Sequence, residues 1–272
     1  MACVVTKMTG ILNKLVRWGF YFLPNNPLIF KLCLRYVDRF QGDNNSDPEK
    51  NGEYIILRHE LSKGGGVVFD VGANVGNWAS FALSINPALE LHVFEPSKRT
   101  FSKLISRSWP PNVKLNNIGL GKVEQTLELN IFADNSGMSS VYTRKGIGNA
   151  VCIGKERINV TTIDNYCEGN NISLISYIKI DVEGHELAVL KGLKRMLTQS
   201  SVQTIQFEYG GCNLDARVYL SDIWDFLEPY GFMFYKLFPE GPRQVDKYDR
   251  SLESFKYSNW IATLKRQKDT LL

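Results

Sequence analysis

The sequence lacks the features of a disulfide-bonded, zinc-binding or membrane-spanning protein. Its five cysteines are an odd number and include no Cys-x-x-Cys pair, so neither a disulfide framework nor a zinc site is indicated. It has no run of roughly 18 apolar residues, the length that a membrane-spanning helix needs, and its first residues do not resemble a signal peptide. We therefore expect a protein of a reducing compartment, the cytoplasm.

Most of the chain also lacks an excess of one charge. The formal net charge is +4, whereas residues 1–40 alone carry six basic residues and one acidic residue, so the rest of the chain is close to neutral. A nearly neutral body argues against a broad nucleic-acid interface, and no Asn-Pro-Pro-Tyr-type motif for handling a base occurs. We expect no nucleic-acid partner.

The basic excess belongs to a pair of predicted helices at residues 10–40, separated by a Pro-Asn-Asn-Pro turn. In the second helix apolar residues recur every three or four positions. Its other faces carry the basic residues Lys31, Arg35 and Arg39. The helix pair is either a cap packed on the main domain or a surface that contacts an anionic membrane or covers a substrate.

Residues 41–51 are polar and turn-rich, and they predict a boundary between a helical extension at 1–51 and a main domain at 52–272. In the main domain, apolar and β-branched runs predict buried strands at 67–71, 91–95, 113–118, 126–132, 177–181, 203–209, 232–238 and 259–264. Helical spacing predicts helices at 53–63, 76–85, 100–107, 185–198 and 219–228. This alternation predicts an α/β fold with a doubly wound, mostly parallel sheet.

A Gly-x-Asn-x-Gly turn follows the first strand. Gly72 allows the backbone to approach a ligand closely, and Gly76 allows tight packing of strand against helix. Asn74 stands where a dinucleotide fingerprint has its middle glycine, which lets a pyrophosphate rest on the helix N-terminus. Asp70 adds a carboxylate that repels a pyrophosphate and attracts a cation. S-adenosylmethionine, a nucleoside with two cationic groups and no phosphate, fits this turn better than NAD does.

The second strand ends on an acid, Glu95. It follows Asp70 at about the spacing where an acidic residue accepts the two hydroxyls of a ribose. Pro96 ends the strand, and Ser97 is placed to cap the next helix. The two motifs together indicate a nucleoside cofactor. An NAD-dependent oxidoreductase and a non-catalytic binding protein on the same fold stay open as alternatives.

Ionisable residues crowd the end of the strand at 177–181 and the start of the following helix. They are Lys179, Asp181, Glu183, His185 and Glu186. Carboxylates this close raise one another's pKa, and the helix dipole offsets at most about 1 kcal/mol of that cost. Function explains the cluster better than packing does, although His185 by itself is either a catalytic group or a satisfied core histidine.

These motifs, in this order, resemble those of the FkbM-type S-adenosylmethionine-dependent methyltransferase family. The resemblance rests on FDVGANVG (69–76), FEP (94–96), VTTID (160–164), IKIDVEGHEL (178–187), VLKG (189–192) and NWIA (259–262). It covers about residues 53–264 and leaves the N-terminal helices unexplained. It implies a Rossmann-like class I methyltransferase fold and O-methylation of a hydroxyl on a sugar, glycan, lipid-linked or polyketide-type acceptor, with S-adenosylhomocysteine as the product.

The resemblance also assigns residues to the cofactor site. The methionine end would meet Asp70, Gly72, Asn74 and Gly76. The ribose would be held by Glu95, beside Pro96 and Ser97. Adenine would be flanked by Asn117 and Ile118, and Asp181 would lie closest to the methyl group. The loop at 135–140 resembles a family loop near the active site and is given no catalytic role.

Methyl transfer to a hydroxyl calls for a base, because a hydroxyl is a poor nucleophile until its proton is removed. Asp181 and His185 are the candidates for this base. Glu183 could orient His185 or help to hold a divalent metal, and Glu208 is a further acidic candidate. Clustered carboxylates can bind magnesium, but we favour a reaction without a metal. The sequence identifies neither the acceptor nor the oligomeric state.

Overall fold

The computed structural model describes residues 14, 17–22, 25–132, 136–146, 148 and 151–264. The chain divides into two compact units, Met1–Gln41 and Gly42–Leu272. The first unit contains α1 (Pro27–Gln41), in which no residue is buried. Of the first predicted helix, residues 10–13, 15, 16 and 23 lie outside the described residues, and residues 17–20 are helical. Within the ranges given above, no helix combines the length and the hydrophobicity that crossing a membrane requires.

Residues 42–51, predicted as a linker, belong to the second unit. Asp43 is buried, and its carboxylate forms an ion pair with the ammonium group of Lys236. The backbone N–H of Asn44 donates to the carbonyl of Tyr257 at 2.8 Å. Because a buried charge has to keep its partner, this segment is fixed to the body, and the observed boundary falls after Gln41 rather than after residue 51.

The second unit alternates strands and helices, as predicted. Its strands are β1 (Val67–Val71), β2 (Glu90–Phe94), β3 (Val113–Asn116), β4 (Gly119–Leu120), β5 (Gln125–Phe132), β6 (Cys152–Thr161), β7 (Ile175–Ile180), β8 (Val202–Tyr209), β9 (Phe232–Phe238), β10 (Gly241–Val245) and β11 (Ser258–Leu264). Its α-helices are α2 (Glu53–Leu61), α3 (Asn77–Ile85), α4 (Lys98–Ile105), α5 (Ile163–Gly169), α6 (Glu186–Lys191), α7 (Lys194–Thr198), α8 (Gly211–Ala216) and α9 (Leu220–Leu227). The eight predicted strands all occur, with ends within two residues of these bounds.

Within the described residues, the main sheet has eight strands in the order β10-β9-β11-β8-β7-β1-β2-β3. Strands β3, β2, β1, β7 and β8 are parallel, whereas β11 runs antiparallel to both β8 and β9, and β10 antiparallel to β9. The chain moves outward from β1 to β3 and then returns to β7 on the other side of β1. Ligands of such sheets bind at this reversal, beyond the carboxyl ends of the strands.

The sheet is covered on both faces, which explains why its central strands are apolar throughout. In β1, Phe69 points to a core shared with α5, α6, α7 and α9, while Val68 points to a core shared with α2, α3 and α4. Each fully buried aliphatic or aromatic side chain contributes about 1.5–3 kcal/mol relative to an exposed one. The two cores fix the ends of β1 and β7, where the site lies.

A second, three-stranded sheet has the order β4-β6-β5. The predicted strand at 113–118 ends instead at Asn116, because the side chain of Asn117 turns to donate to the carbonyls of Glu95 and Pro96. The chain then enters this second sheet as β4. Strand β6 was missed because most of its side chains are exposed and mixed in polarity, which leaves no buried face to read.

The helix predicted at 185–198 is in fact two short helices, α6 and α7, separated at Gly192. A Cβ atom at Gly192 would lie 2.0 Å from the carbonyl oxygen of Gly121. The backbone that follows β4 therefore packs directly against the break between the helices, and only glycine leaves room for it.

Candidate active site

Two cavities lie at the carboxyl ends of the parallel strands, beside the reversal between β1 and β7. The main cleft encloses about 760 Å³ of empty space between these strand ends, the small sheet and the segment 137–141. The side cavity, of about 690 Å³, lies against α2, α3 and the start of β11. Gly72, Asn74 and Asp181 line both cavities.

The turn after β1 depends on left-handed backbone conformations. Gly72 has φ +85°, and a Cβ there would lie 1.8 Å from the carbonyl oxygen of Asp181. Gly76 has φ +80°, and a Cβ there would collide with the side chains of Leu104 and Trp109. Gly76 therefore serves packing, but against α4 and the residues after it and not between strand and helix as predicted. Gly72 is needed for the close approach of β7, not only for the approach of a ligand.

Glu95 is a buried carboxylate at the edge of the main cleft. Its Oε2 accepts from the backbone N–H of Asn74 at 3.0 Å, and its Oε1 accepts from the backbone N–H of Ser97 at 2.9 Å. Burial raises the pKa of Glu95 to about 7, against the opposing effect of these two hydrogen bonds. The carboxylate is thus held in place by two loops, with further lone pairs for a ligand.

Asp181 follows β7 and is fixed to β1, since its backbone N–H donates to the carbonyl of Val71 at 2.9 Å. Its Oδ2 accepts from Lys179 Nζ at 2.8 Å. Burial alone would lower the pKa of Lys179, but the nearby carboxylates of Asp181, Asp70 and Glu53 raise it above its ordinary value. Asp70 is fully buried, and burial raises its pKa to about 6.

The side cavity combines hydrogen-bond donors and acceptors. Trp78 is buried, and its Nε1 has no hydrogen-bond partner in the part of the chain that the structure describes. Glu53 is buried, accepts from Gln206 Nε2 at 2.8 Å, and has its pKa raised by burial. Lys179 and Asp181 complete a wall that carries both signs of charge. Such a wall suits a ligand that carries both an ammonium and a carboxylate.

The turn after β7 is organised by Glu186, one of the five crowded ionisable residues. Its fully buried carboxylate accepts from the backbone N–H groups of Val182 and Gly184 at 3.1 and 3.0 Å, and from Asn213 Nδ2 at 3.1 Å. Burial raises the pKa of Glu186 to about 7. This carboxylate therefore has a structural role, whereas Asp181, Glu183 and His185 line the cleft.

The hydrogen-bond partner of His185 is Tyr142, whose hydroxyl lies 3.0 Å from Nδ1. The expectation that Glu183 orients His185 is thereby corrected, because the carboxylate of Glu183 is paired with Arg144 instead. His185 Nε2 is shielded from solvent and has no hydrogen-bond partner among the described residues. Burial lowers the pKa of His185 to about 4, so the ring is neutral at neutral pH.

Residues 137–146, here called the strap, cross the turn after β7. Ser140 Oγ donates to the carbonyl of Glu183 at 2.7 Å. The Arg144 guanidinium pairs with the Glu183 carboxylate, and its Nε lies 3.5 Å from Asp215 Oδ2. Residue 135 of the predicted active-site loop lies outside the described residues, but the rest of that loop leads into the strap. Sequence reasoning missed Tyr142 and Arg144, because the strap has no periodicity and its partners are far away along the chain.

Glu183, Glu208 and Cys212 bring potential metal-ligand atoms within 4.8 Å of one another. Burial, together with neighbouring carboxylates, raises the pKa of Glu208 and of the Cys212 thiol well above their ordinary values. Protonated carboxyl and thiol groups are poor ligands, and Arg144 already neutralises Glu183. The arrangement is therefore better explained as an ion-paired acidic cluster than as a metal site.

The structure brings together most of the residues predicted for the cofactor. The main cleft is lined by Gly72, Asn74, Glu95, Pro96, Ile118 and Asp181. Four predicted residues, Asp70, Gly76, Ser97 and Asn117, are not among its lining residues. Asp70 is buried within β1, and Ser97 caps α4 as predicted, accepting from Thr100 N at 3.4 Å. These four support the lining residues from behind.

A family described as "Methyltransferase FkbM domain" matches residues 70–234. Among curated proteins, the hexuronic acid methyltransferase AglP of Haloferax volcanii is 27% identical over 175 residues, which are 63% of this chain and 69% of that protein. The 31-O-demethyl-FK506 methyltransferase FkbM of Streptomyces tacrolimicus is 25% identical over 165 residues, 51% of this chain and 64% of that protein. Among solved structures, the plantazolicin methyltransferase BpumL in complex with SAH covers 89% of this chain and 92% of its own, with 10% identity and a TM-score of 0.43.

Proposed function

Because the chain belongs to the FkbM methyltransferase domain family, which matches well over half of its length, we propose that the main cleft and the side cavity together hold S-adenosylmethionine and the hydroxyl that receives its methyl group. The chain is an S-adenosylmethionine-dependent methyltransferase with a Rossmann-like α/β fold. The resemblance of its motifs to this family is thereby confirmed, and the alternatives of an NAD-dependent oxidoreductase and a non-catalytic protein are set aside. When bound, the cofactor supplies an electrophilic methyl group.

The ribose of the cofactor is assigned to Glu95. A buried carboxylate that is already held by two backbone N–H groups needs no rearrangement to accept hydrogen bonds from a diol. Pro96 and Ile118 line the same cleft and offer apolar surface for the adenine ring. Asn117 does not line the cleft, and it holds Glu95 and Pro96 in place by donating hydrogen bonds to their carbonyls.

The methionine end is assigned to the side cavity, beyond Gly72 and Asn74. Its ammonium meets the carboxylates of Asp181 and Glu53, and its carboxylate meets the Trp78 indole N–H, which has no other partner among the described residues. Asp70 adds negative charge from within β1. A cationic ligand fits this surrounding, whereas a pyrophosphate would be repelled.

The reaction site is assigned to Asp181, because this residue lines both cavities and directly follows β7. This position supports the proposal that Asp181 lies nearest the methyl group. Asp181 and His185 are the candidates to take the proton of the acceptor hydroxyl. Glu183 acts on the site through its ion pair with Arg144.

The acceptor is proposed to be a hydroxyl on a sugar, glycan, lipid-linked or polyketide-type molecule. The relatives' names, a hexuronic acid methyltransferase and a 31-O-demethyl-FK506 methyltransferase, support oxygen as the methylated atom and polyhydroxylated molecules as the substrates. The chain spans about two thirds of the length of these relatives, so their acceptors are a guide to the class of substrate only.

The test is an acceptor screen that follows S-adenosylhomocysteine release, with hexuronic acid glycosides and hydroxylated macrolides in the panel. Asp181→Asn is the matched control, and it should lower turnover about 10²–10⁴-fold. Its affinity for the cofactor should also fall, because the carboxylate of Asp181 is assigned to the cofactor's ammonium. Wild-type-like turnover in this variant would remove Asp181 from the site. Calorimetric titration with NAD and with S-adenosylhomocysteine should show binding of the latter alone.

We also propose that α1 gives this enzyme of the cytoplasm a peripheral contact with an anionic membrane. Leu28, Leu32, Tyr36 and Phe40 form an exposed apolar stripe along α1, at a spacing of four residues. The basic residues Lys31 and Arg35 run beside this stripe. Basic amphipathic helices of this kind lie in the interface of anionic bilayers, where each basic residue near the surface contributes about 1 kcal/mol.

Flotation of the full chain with vesicles tests this contact. Vesicles with anionic lipid should recover the protein, and neutral vesicles should recover much less. The double variant Lys31→Glu/Arg35→Glu should lose the binding while keeping its affinity for S-adenosylhomocysteine, since the residues assigned to the cofactor all lie beyond residue 52. Equal recovery with both kinds of vesicle, or association of the protein with itself through this stripe, would contradict the proposal.

A further inference from the structure

The ring of His185 reaches the main cleft with one of its nitrogens already engaged. Tyr142 Oη lies 3.0 Å from His185 Nδ1, on the side of the ring that faces the strap. We propose that Tyr142 donates this hydrogen bond and holds His185 in the tautomer that carries its proton on Nε2, so that His185 binds an oxygen of the acceptor as a hydrogen-bond donor and does not serve as the base. This inference rests on the proposed function, because it assigns a role in the recognition of the acceptor.

The direction of the hydrogen bond follows from the chemistry of the two groups. A phenolic hydroxyl, with a pKa of about 10, is a good donor, and the unprotonated nitrogen of an imidazole is a good acceptor. In the opposite arrangement the Tyr142 hydroxyl would accept from the ring, and its own hydrogen would have no acceptor among the residues that the structure describes. Since burial keeps the ring neutral, one nitrogen carries the proton, and the geometry assigns it to Nε2.

Tyr142 is held firmly enough to select a tautomer. Its backbone N–H donates to Ser140 Oγ at 3.1 Å, and the same hydroxyl donates to the carbonyl of Glu183 at 2.7 Å. The side-chain amide of Asn130 in β5 donates to the carbonyls of Ser140 and Tyr142, both at 3.0 Å. The strap and the turn that carries His185 are thus joined through one serine, which fixes Tyr142 relative to the ring.

The environment of Nε2 indicates that this N–H is kept for a ligand. Nε2 is shielded from solvent and has no protein partner within the described ranges. A Cβ atom at Gly121 would lie 3.1 Å from Nε2, so any side chain at this position would crowd the nitrogen. A buried donor without a partner is unfavourable, and an acceptor oxygen bound there would relieve that cost.

This assignment leaves Asp181 as the group that takes the proton of the acceptor hydroxyl. The proton passes to the carboxylate of Asp181 as the new carbon–oxygen bond forms and the carbon–sulfur bond of the cofactor breaks. His185 then orients a different oxygen of the same acceptor, because a donor to the attacking oxygen would weaken it as a nucleophile. Acceptors with a second oxygen close to the methylated hydroxyl, as in a sugar diol or a hydroxy acid, fit this pair of residues.

Nitrogen-15 NMR of the histidine rings in the full chain reads the tautomer directly. The chain has three histidines, so the His185 signals are assigned by their loss in His185→Gln. We expect a protonated Nε2 and an unprotonated Nδ1 in the wild type, and a mixture of tautomers in Tyr142→Phe, which removes only the hydroxyl. A wild-type ring with its proton on Nδ1 would overturn the proposal. This reading needs no acceptor, so it stands apart from a failure of the proposed function, which would show as no binding of S-adenosylhomocysteine.

Two substitutions of His185 separate a donor from a base. The amide nitrogen of glutamine lies close to the position of Nε2 and can donate, whereas the shorter asparagine cannot reach it. For a donor, His185→Gln should keep kcat/KM for the acceptor within a few-fold, and His185→Asn should lower it about tenfold or more. Equal losses of 10²–10⁴-fold in both variants, with intact cofactor affinity, are the result expected of a base and would contradict the assignment.

Discussion

The turn after β1 and the turn after β7 border the same cleft, but different interactions hold them in place. The first turn depends on two glycines with positive φ and on hydrogen bonds to the neighbouring strand end, such as those from Gly72 and Ala73 to the carbonyl of Phe94. The second turn depends on Glu186 and on partners that lie far away in the chain, among them Arg144 and Asn213. Backbone conformation therefore shapes the first turn, which we propose faces the cofactor, and buried polar contacts shape the second turn, which we propose faces the acceptor.

This difference suits the two tasks. A cofactor of constant shape can be met by a rigid turn whose geometry is set by steric limits. An acceptor that varies between enzymes is better met by side chains on loops, which can change without disturbing the sheet. We propose that the strap supplies such side chains. Its ion pair and hydrogen bonds join it to the turn after β7, which begins at Asp181.

The largest effect is expected for Gly72→Ala, which tests the rigidity of the first turn. The new Cβ would meet the carbonyl of Asp181 at 1.8 Å in a left-handed conformation, and we expect the free energy of unfolding to fall by about 4 kcal/mol or more. Urea denaturation measures this loss. Gly65→Ala is the matched control, because its nearest contact would be an ordinary 3.6 Å to the carbonyl of Ala88. Equal stability of the two variants would show that β7 does not restrict the turn.

A smaller loss is expected for Arg144→Gln, which tests the second turn. The side chain of Arg144 is 9% exposed, and its removal takes the cation away from the carboxylates of Glu183 and Asp215. Breaking a buried ion pair in this way should lower the free energy of unfolding by about 3 kcal/mol. Lys155→Ala breaks an exposed pair with Glu128 and should change stability little. If both variants are equally stable, the strap is not held by its ion pair.

The same contrast explains what could be predicted from the sequence. The parallel strands, the glycine turn, Glu95 and Asp181 were all predictable, because buried apolar runs and glycines record local geometry. Tyr142, Arg144 and the side cavity around Trp78 were not, because no local pattern marks the partner of a long-range contact. Glu186 was predicted to be functional because its structural partners, such as Asn213, are distant in the sequence and meet it only in the folded chain.

On the cofactor side, the affinity for S-adenosylhomocysteine should depend on the ionisation of Glu95, whose pKa burial raises to about 7. Ribose hydroxyls donate to the ionised carboxylate, so binding releases a proton, and affinity should fall as the pH drops below about 7 by up to tenfold per unit. Calorimetry of the wild type and of Glu95→Gln between pH 5 and pH 8 checks this. The variant should bind more weakly at pH 8 and show a flatter profile, and Glu95→Ala should lose about 1.5–3 kcal/mol of binding free energy there. Parallel profiles for wild type and Glu95→Gln would remove Glu95 from the ribose site.

The smallest expected effect is that of a divalent metal on stability, and it distinguishes the two turns most sharply. If Glu183, Glu208 and Cys212 held a divalent ion, a metal at a hundred times its dissociation constant would stabilise the folded chain by about 2.7 kcal/mol. We expect no such gain, because Arg144 already pairs with Glu183. Burial also raises the pKa of Glu208 and of the Cys212 thiol, which makes the loss of their protons to a metal more costly. Thermal unfolding in the presence of magnesium or zinc measures any gain in stability, and Glu208→Gln is the control. If a metal stabilises the wild type but not Glu208→Gln, the metal displaces Arg144 from Glu183. The strap would then be held by the metal ion and not by the charge of Arg144.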